Sequence, residues 1–228
     1  MSEVNSDFKE NSVNEIKVID TFKISSAGIH LKKYHMARSA EAFNELRLNV
    51  SDFLLRSMYR QIEEKNIHLK TEMKAQITFD STDLKKSICV ISEIDLLPTP
   101  LTLEVSKNYF QLSGRGLQNH KTNRRDYWNL LMKSAHCFDV IGVNQDGCLT
   151  ETSRFNIFLQ ANNTLYTPKL DSGCINGALR RSILDAGLYK YGDNTFSVKE
   201  KDILATDINN YEIFVGNSLR GMHKAILI

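Results

Sequence analysis

Apolar and polar residues alternate along IKVIDTFKIS (residues 16–25), and a period of two predicts a β-strand. Ser25-Ser26-Ala27-Gly28 reads as a turn, with IHLKKY as the returning strand of a hairpin. The period then lengthens. In HMARSAEAFNEL, Met36, Ala40, Phe43 and Leu46 recur at helical spacing. Ser51-Asp52 is a cap signal for a second helix, whose Phe53, Leu54, Met58 and Ile62 are expected to face inward. Strands are predicted in LKTEMKAQITF, SICVISEI and LTLEV, the last two separated by the prolines of LLPTP. From Asn108 to His120 the pattern fades into Gly, Ser, Asn and Gln, with Gly114 and Gly116 close together, which reads as a linker.

Beyond it, a helix is predicted from Asn123 to Ala135, apolar at Tyr127, Leu130, Leu131 and Ala135, followed by the strand FDVIGV and a turn over Asn144–Gly147. The next stretch, CLTETSRFNIFLQ (148–160), reads as an apolar-alternating strand with Glu151 at its mouth and Asn156 in its middle. TLYTP is another strand, GALRRSILDAGL a helix opening at Gly177, and YEIFVG and GMHKAILI two final strands around a turn at Asn217-Ser218. Helices and strands are mixed in both halves, so the expected class is α/β with mixed α+β sheets. The expected division is a short N-terminal domain at 1–107, a linker at 108–120 and a C-terminal domain at 121–228.

Composition narrows the function classes. At 228 residues the chain can bury a substantial core, and 42% hydrophobic with 25% charged residues is ordinary for a globular protein. A net charge of +2 without a long Lys/Arg block gives no reason to expect a nucleic-acid partner, and no apolar run approaches the ~20 residues of a membrane span. MSEVNSDFKENSVNE at the start matches neither a signal nor a transit pattern and reads as a tail; the four cysteines form no C-x-x-C pair. Reduced thiols, no metal site and a cytoplasmic location are the expectations.

Five features can carry chemistry. A helix opening at Gly177 presents unpaired N–H groups to an anion, although a glycine there also serves close packing. Asn217-Ser218 closes a turn or donates to a phosphate. Arg38, three residues from His35 at a helix start, is a solvated side chain or a planar clamp for phosphate. Lys121, next to Arg124 and Arg125, is a surface cation or, if buried among cations, a nucleophilic amine. Glu151 is a surface acid at a strand end or the missing carboxylate of the set. A reactive lysine, a carboxylate, an arginine and a helix-start anion cup are what pyridoxal 5′-phosphate (PLP) requires.

The order of these pieces resembles the class IV aminotransferases, the fold-type IV PLP enzymes, a family that includes branched-chain and D-amino-acid aminotransferases and aminodeoxychorismate lyases. HKTNRRDYWNLL resembles the family's lysine segment, LTETSRFNIFL its acidic strand motif, LYTPKLDSGCINGALR its TP…G…G…R segment, FVGNSLRG its last cofactor loop, and YHMARS its His-x-x-Arg. The resemblance implies that Lys121 carries PLP and shuttles protons and that Glu151 faces the pyridine nitrogen. It implies further that Arg38, the backbone N–H groups of Ala178 and Leu179, and Asn217 bind the phosphate, with Asn156 supporting the loop. It also implies a small-molecule substrate and a homodimer. NSLRG is similar to the lyase-type turn, and Arg220 with Ser218 is the candidate substrate contact. The lyase reaction yields 4-aminobenzoate and pyruvate from 4-amino-4-deoxychorismate. An aminotransferase acting on a branched-chain or D-amino acid is the alternative within the family, and a non-catalytic scaffold the alternative outside it. The first half is short, and Asp20-Thr21-Phe22-Lys23 stands where relatives carry a Phe-Glu-Thr-type segment.

Overall fold

The computed structural model describes residues 16–80, 83–110 and 119–228. The expected N-terminal tail (1–15) and the linker glycines Gly114 and Gly116 lie outside the described residues.

The first half builds a small sheet under two helices. Strand β1 (Ile19–Ser25) is followed by the two-residue β2 (Gly28–Ile29), helices α1 (Lys32–Glu45) and α2 (Asp52–Lys65), then β3 (Met73–Thr78) and β4 (Ile88–Ser92). The sheet runs in the order β2-β1-β3-β4, every pairing antiparallel. Alternation places Val18, just before β1, Phe22 and Ile24 of β1, and Ala75 and Ile77 of β3 against Phe43, Leu55 and Tyr59 of the helices. The hairpin expected through IHLKKY stops at Ile29: Leu31 takes a left-handed conformation (φ 56°) and α1 begins at Lys32. Ser51 caps α2 as its sequence suggests, accepting from the Leu54 N–H at 3.3 Å. The buried stripe of α2 differs from the expected one. It is Leu55, Tyr59 and Ile62, while Phe53 is 77% exposed and Leu54 46% exposed.

The register of α2 follows from a buried polar cluster that hydrophobicity does not weigh. Asp20 occupies an inward position of β1 between Val18 and Phe22 and is completely buried. Its carboxylate accepts from His35 Nδ1 at 2.8 Å, from the Arg38 guanidinium and from the Tyr59 hydroxyl, which also lies 3.1 Å from Ser39 Oγ. The inward face of α1 is therefore largely polar, His35, Arg38 and Ser39 beside Ala42 and Phe43. Burial alone would raise the Asp20 pKa. The His35 and Arg38 charges and the hydrogen bonds from His35 and Tyr59 outweigh it and hold the carboxyl well below its usual range.

The second half is a larger sheet curled on itself. It comprises β5 (Leu101–Phe110), α3 (Asp126–Ser134), β6 (Asp139–Asn144), β7 (Leu149–Thr152), β8 (Asn156–Ala161), β9 (Thr164–Thr167), α4 (Ala178–Ala186), β10 (Leu188–Tyr191), β11 (Asn194–Glu200), β12 (Glu212–Asn217) and β13 (Gly221–Leu227). The strand order is β10-β11-β9-β8-β12-β13-β5-β6-β7, and an additional β7–β8 pairing closes the last six neighbours into a ring. Leu103, Ile141, Leu149, Ile157 and Val215 fill its interior; α4 packs outside, on Phe158, Phe214 and Met222. Because β5 already belongs to this sheet, the change of sheet falls at residues 93–100, ahead of the expected 108–120 linker.

Two other expectations change. The stretch 148–160 is a hairpin, not one strand: Thr152 Oγ1 accepts from the Phe155 N–H at 3.0 Å, and the Ser153 N–H donates to buried Asp139 at 3.1 Å, turning the chain. Helix α3 starts at Asp126 and buries Leu131, leaving Leu130 60% exposed. The hairpin of β10 and β11 has no counterpart in the sequence pattern read above.

The two sheets are stitched at Lys121. The Ile19 N–H donates to the Lys121 carbonyl at 2.7 Å, Val18 bridges Thr122, and the Asn123 N–H donates to the Lys17 carbonyl at 3.0 Å. His120 Nε2 meets Glu45 at 3.1 Å, and Arg181 of α4 pairs with Glu41 of α1. Neutralising the buried anion should loosen this assembly. Asp20→Asn is expected to cost about 3–5 kcal/mol in urea denaturation, because it strands buried partners. Glu72→Gln, which breaks the more exposed Lys23–Glu72 pair, should cost no more than about 1 kcal/mol.

Candidate active site

A cavity of about 400 Å³ opens where the outward face of β1 and β3 meets the rim of the barrel. Arg38, Lys121, Glu151, Ala178, Leu179, Asn217, Ser218 and Arg220 all line it, so the structure brings every candidate residue to one place. They come from α1, the segment before α3, β7, the start of α4 and the β12–β13 turn.

Glu151 is 5% exposed. It pairs with Asn156 where β7 meets β8, and Asn156 Nδ2 donates both to Glu151 Oε2 at 3.0 Å and to the Ile175 carbonyl at 2.8 Å. Asn156 Oδ1 in turn lies where a side chain on Gly177 would start: a Cβ there would stand 2.1 Å from it. Gly177 is thus required by close approach rather than by its dihedral angles (φ −61°). Burial pushes the Glu151 pKa up to about 8, against a hydrogen bond from the Ile175 backbone and the charges of Arg180, Arg125 and Arg38. The acid keeps its proton at neutral pH.

Lys121 shifts the opposite way. Burial, then the Arg38 cation, draw its pKa down to about 7, with Asp20 and Glu151 opposing and Arg125 adding to the fall. A substantial fraction of the amine is uncharged near neutrality, which makes it nucleophilic. Arg38 is held by Asp20 on the wall of the cavity. Helix α4 begins at Ala178 with no side-chain cap, so its first N–H groups are left for an anion at the positive end of the helix dipole.

Asn217, expected as a phosphate donor, lines the cavity and also builds the turn. Its Oδ1 accepts from the N–H groups of Leu219 and Arg220 at 3.1 and 2.9 Å, and its Nδ2 donates to the Arg154 carbonyl at 3.1 Å. These bonds shape the turn that presents Ser218 and Arg220, and they use one of the two Nδ2 hydrogens. Sequence reading did not include Thr21, Lys74, Gln76, Arg125 and Arg154 among the lining residues. For Thr21, Lys74 and Gln76 a signal existed, since each lies on the face of its strand opposite the apolar residues. Asp20 was also legible as an acid at an inward position of an alternating strand. Among the described residues no His/Cys/Asp/Glu group is placed to hold a metal, and no helix is long and apolar enough to cross a membrane.

The family model described as Amino-transferase class IV matches residues 17–226. A protein from Schizosaccharomyces pombe is 26% identical over 150 residues, 64% of this chain and 62% of that protein, so the chain spans less than two thirds of that relative. The protein named aminodeoxychorismate lyase in Bacillus subtilis is 23% identical over 200 residues, 79% of this chain and 67% of its own length. Among solved structures, 4-amino-4-deoxychorismate lyase from Pseudomonas aeruginosa superimposes with a TM-score of 0.72 at 16% identity, covering 92% of this chain and 82% of that one. The branched-chain amino acid aminotransferase from Escherichia coli gives 0.71 at 15% identity, covering 93% and 76%. These two likenesses describe the fold and do not separate the two chemistries.

Without cofactor, the raised Glu151 pKa means the folded state holds a proton that the unfolded state releases near pH 4.5. That stabilisation is complete below the unfolded value and is lost as pH rises through about 8, the reverse of a salt-bridged acid. Lys121, whose folded pKa is lowered, stabilises the fold as pH rises from about 7 towards 10.5, so the two slopes oppose. Glu151→Gln should remove the first slope: relative to the variant, the parent protein loses stability between pH 5 and pH 8, as denaturation midpoints can measure. Gly177→Ala should cost about 1–3 kcal/mol through the forced movement of Asn156. The penalty should shrink when Asn156→Ala is the background, and a double-mutant cycle reads that coupling.

Proposed function

We propose that this chain, which belongs to the amino-transferase class IV family and is a PLP-dependent enzyme, acts as a lyase on 4-amino-4-deoxychorismate, releasing pyruvate and 4-aminobenzoate. The observation that carries the site is the convergence of Lys121, Glu151, Arg38 and the uncapped start of α4 on a single cavity. What favours the lyase within the family is Arg220, whose side chain is 16% exposed and lines that cavity instead of standing in solvent. A guanidinium in the substrate space suits a dicarboxylate and disfavours an aliphatic side chain. The similarity to the Bacillus subtilis protein named for this activity supports the same choice.

The residues fit PLP on their own chemistry. A buried carboxyl that keeps its proton near neutrality, about pKa 8, can share it with a pyridine nitrogen, and an amine of about pKa 7 can react with an aldehyde. Arg38 and the N–H groups of Ala178 and Leu179 would hold the phosphate. When bound, PLP supplies an electron sink for the bonds at the amine-bearing carbon of the substrate. Lys121 would anchor the cofactor and move protons at its Nζ, which its lowered pKa suits to both acceptance and return. Glu151 would hold a proton at Oε1 or Oε2, with Asn156 fixing its orientation. Asp20 and His35 would keep Arg38 in place, and Asn217 would shape the turn carrying Ser218 and Arg220.

The homodimer is part of the same proposal. Its support is the free edge of the small sheet, where Ile88 and Val90 of β4 are exposed, 64% and 56%, as an apolar surface for a second copy. The small sheet with its two helices and the larger curled sheet would then be the two lobes that frame the cavity.

Transamination is the competing reading, and the products separate the two. PLP-loaded protein should form pyruvate and 4-aminobenzoate from 4-amino-4-deoxychorismate with no keto-acid acceptor present. Activity that appears only with an acceptor contradicts the lyase. Lys121→Ala should lower turnover at least about 10²-fold, which coupled detection of pyruvate can follow.

A further inference from the structure

We propose that Lys74 and Arg220 form a carboxylate-binding subsite at the substrate end of the cavity, and that Asp95 is its displaceable internal occupant. The proposal deepens the reading of a dicarboxylate substrate and rests on it. Lys74 sits on the cavity face of β3, in register with Lys23 and Ser92 and alternating with core residue Ala75. Arg220 comes from the β12–β13 turn of the other sheet. Both cations converge on one oxygen, Asp95 Oδ2, at 3.5 Å from Lys74 Nζ and 3.6 Å from the Arg220 guanidinium. Lys74, Asp95 and Arg220 all line the cavity.

Two cations drawn from separate sheets to one point define a position for an anion. Asp95 fills it poorly. Its side chain is 75% exposed, it lies outside any strand or helix, and both side-chain contacts are long, while the Arg220 guanidinium also donates to the Asp95 backbone carbonyl at 3.5 Å. Arg220 keeps a donor in reserve: its Nε is buried and has no hydrogen-bond partner among the described residues. Burial disfavours its charge and Arg154 adds repulsion, while Asp95 alone offsets them. Two cations against one carboxylate, with Arg154 also lining the wall, leave a local excess of positive charge. A substrate carboxylate reaching the subsite would displace an exposed side chain that loses little on returning to water. Specificity then rests on a second carboxylate in the substrate: an amine bearing two carboxylates is accepted, and one with an aliphatic side chain leaves Arg220 and Lys74 without a new partner.

Calorimetric titration with succinate, against butyrate as the monocarboxylate control, tests the subsite in both PLP-loaded and cofactor-free protein. The parent protein should bind succinate at least tenfold more tightly than butyrate. Lys74→Gln should erase most of that ratio, and Asp95→Asn should tighten succinate several-fold while leaving butyrate unchanged. Both side chains are solvent-accessible enough that the variants should fold, which thermal melts verify. Equal affinity for the two probes, or a ratio unmoved by Lys74→Gln, overturns the subsite. Weaker succinate binding in Asp95→Asn overturns the occupant role, since Asp95 would then be organising the cations. The functional reading fails differently: a protein that discriminates succinate but makes no pyruvate from 4-amino-4-deoxychorismate retains the subsite and loses the lyase.

Discussion

One side-chain amide connects the parts of this protein that have to act together. Asn156 stands where β7 and β8 join and complete the ring of strands. Its Nδ2 donates to Glu151 on one side and to the Ile175 carbonyl on the other, and its Oδ1 lies against Gly177 at the entrance of α4. Barrel closure, the orientation of the buried acid and the placement of the helix start are therefore one geometric problem with one solution. Any side chain at 177 would displace the amide that holds Glu151.

Around that point the cavity separates charge by burial. The interior is rich in cations: Arg38, Lys121 and Arg125 all influence Glu151 or one another. Desolvation nonetheless dominates both functional groups, pushing the acid up to about 8 and the amine down to about 7. A carboxyl that keeps its proton beside an amine that releases one is the arrangement that acid–base chemistry at neutral pH calls for. Asp20 keeps Arg38 from adding freely to the destabilisation of Lys121: its carboxylate binds the guanidinium and opposes the fall in the lysine pKa. The small sheet is thus more than a cover. Through β1 it fixes the Lys121 backbone and through Asp20 it fixes Arg38.

Much of this was legible in the chain because short motifs carry position as well as chemistry. Lys121, Glu151, Arg38 and the Gly177 helix start were separately ambiguous, and only their order along the chain joined them; the fold then places them on one cavity. The misreadings share a cause. Hydrophobic spacing assigned the inward stripe of α2 to Phe53 and Leu54, but the helix turns to bring the Tyr59 hydroxyl to Asp20, a buried polar demand that no hydropathy pattern records. The hairpin within 148–160 was hidden because Thr152 and Asp139, 13 residues apart, make the turn together. Asn217 shows why short polar residues at a strand end are ambiguous: they serve turns and anions alike, and here the side chain builds the turn while lining the cavity. The pairing of Lys74 with Asp95 was hidden for a different reason: a half-buried lysine and an exposed aspartate acquire joint meaning only when two sheets bring them to the same arginine.

The most direct test is to reconstitute the protein with PLP, record its visible absorption, reduce it with borohydride and map the labelled peptide. An absorption band in the visible range, with pyridoxyl fixed on Lys121, is the expected result. It should persist in Arg220→Ala, whose side chain belongs to the substrate end. Labelling of another lysine, or no band at saturating PLP, would contradict the assignment of this cavity as the cofactor site.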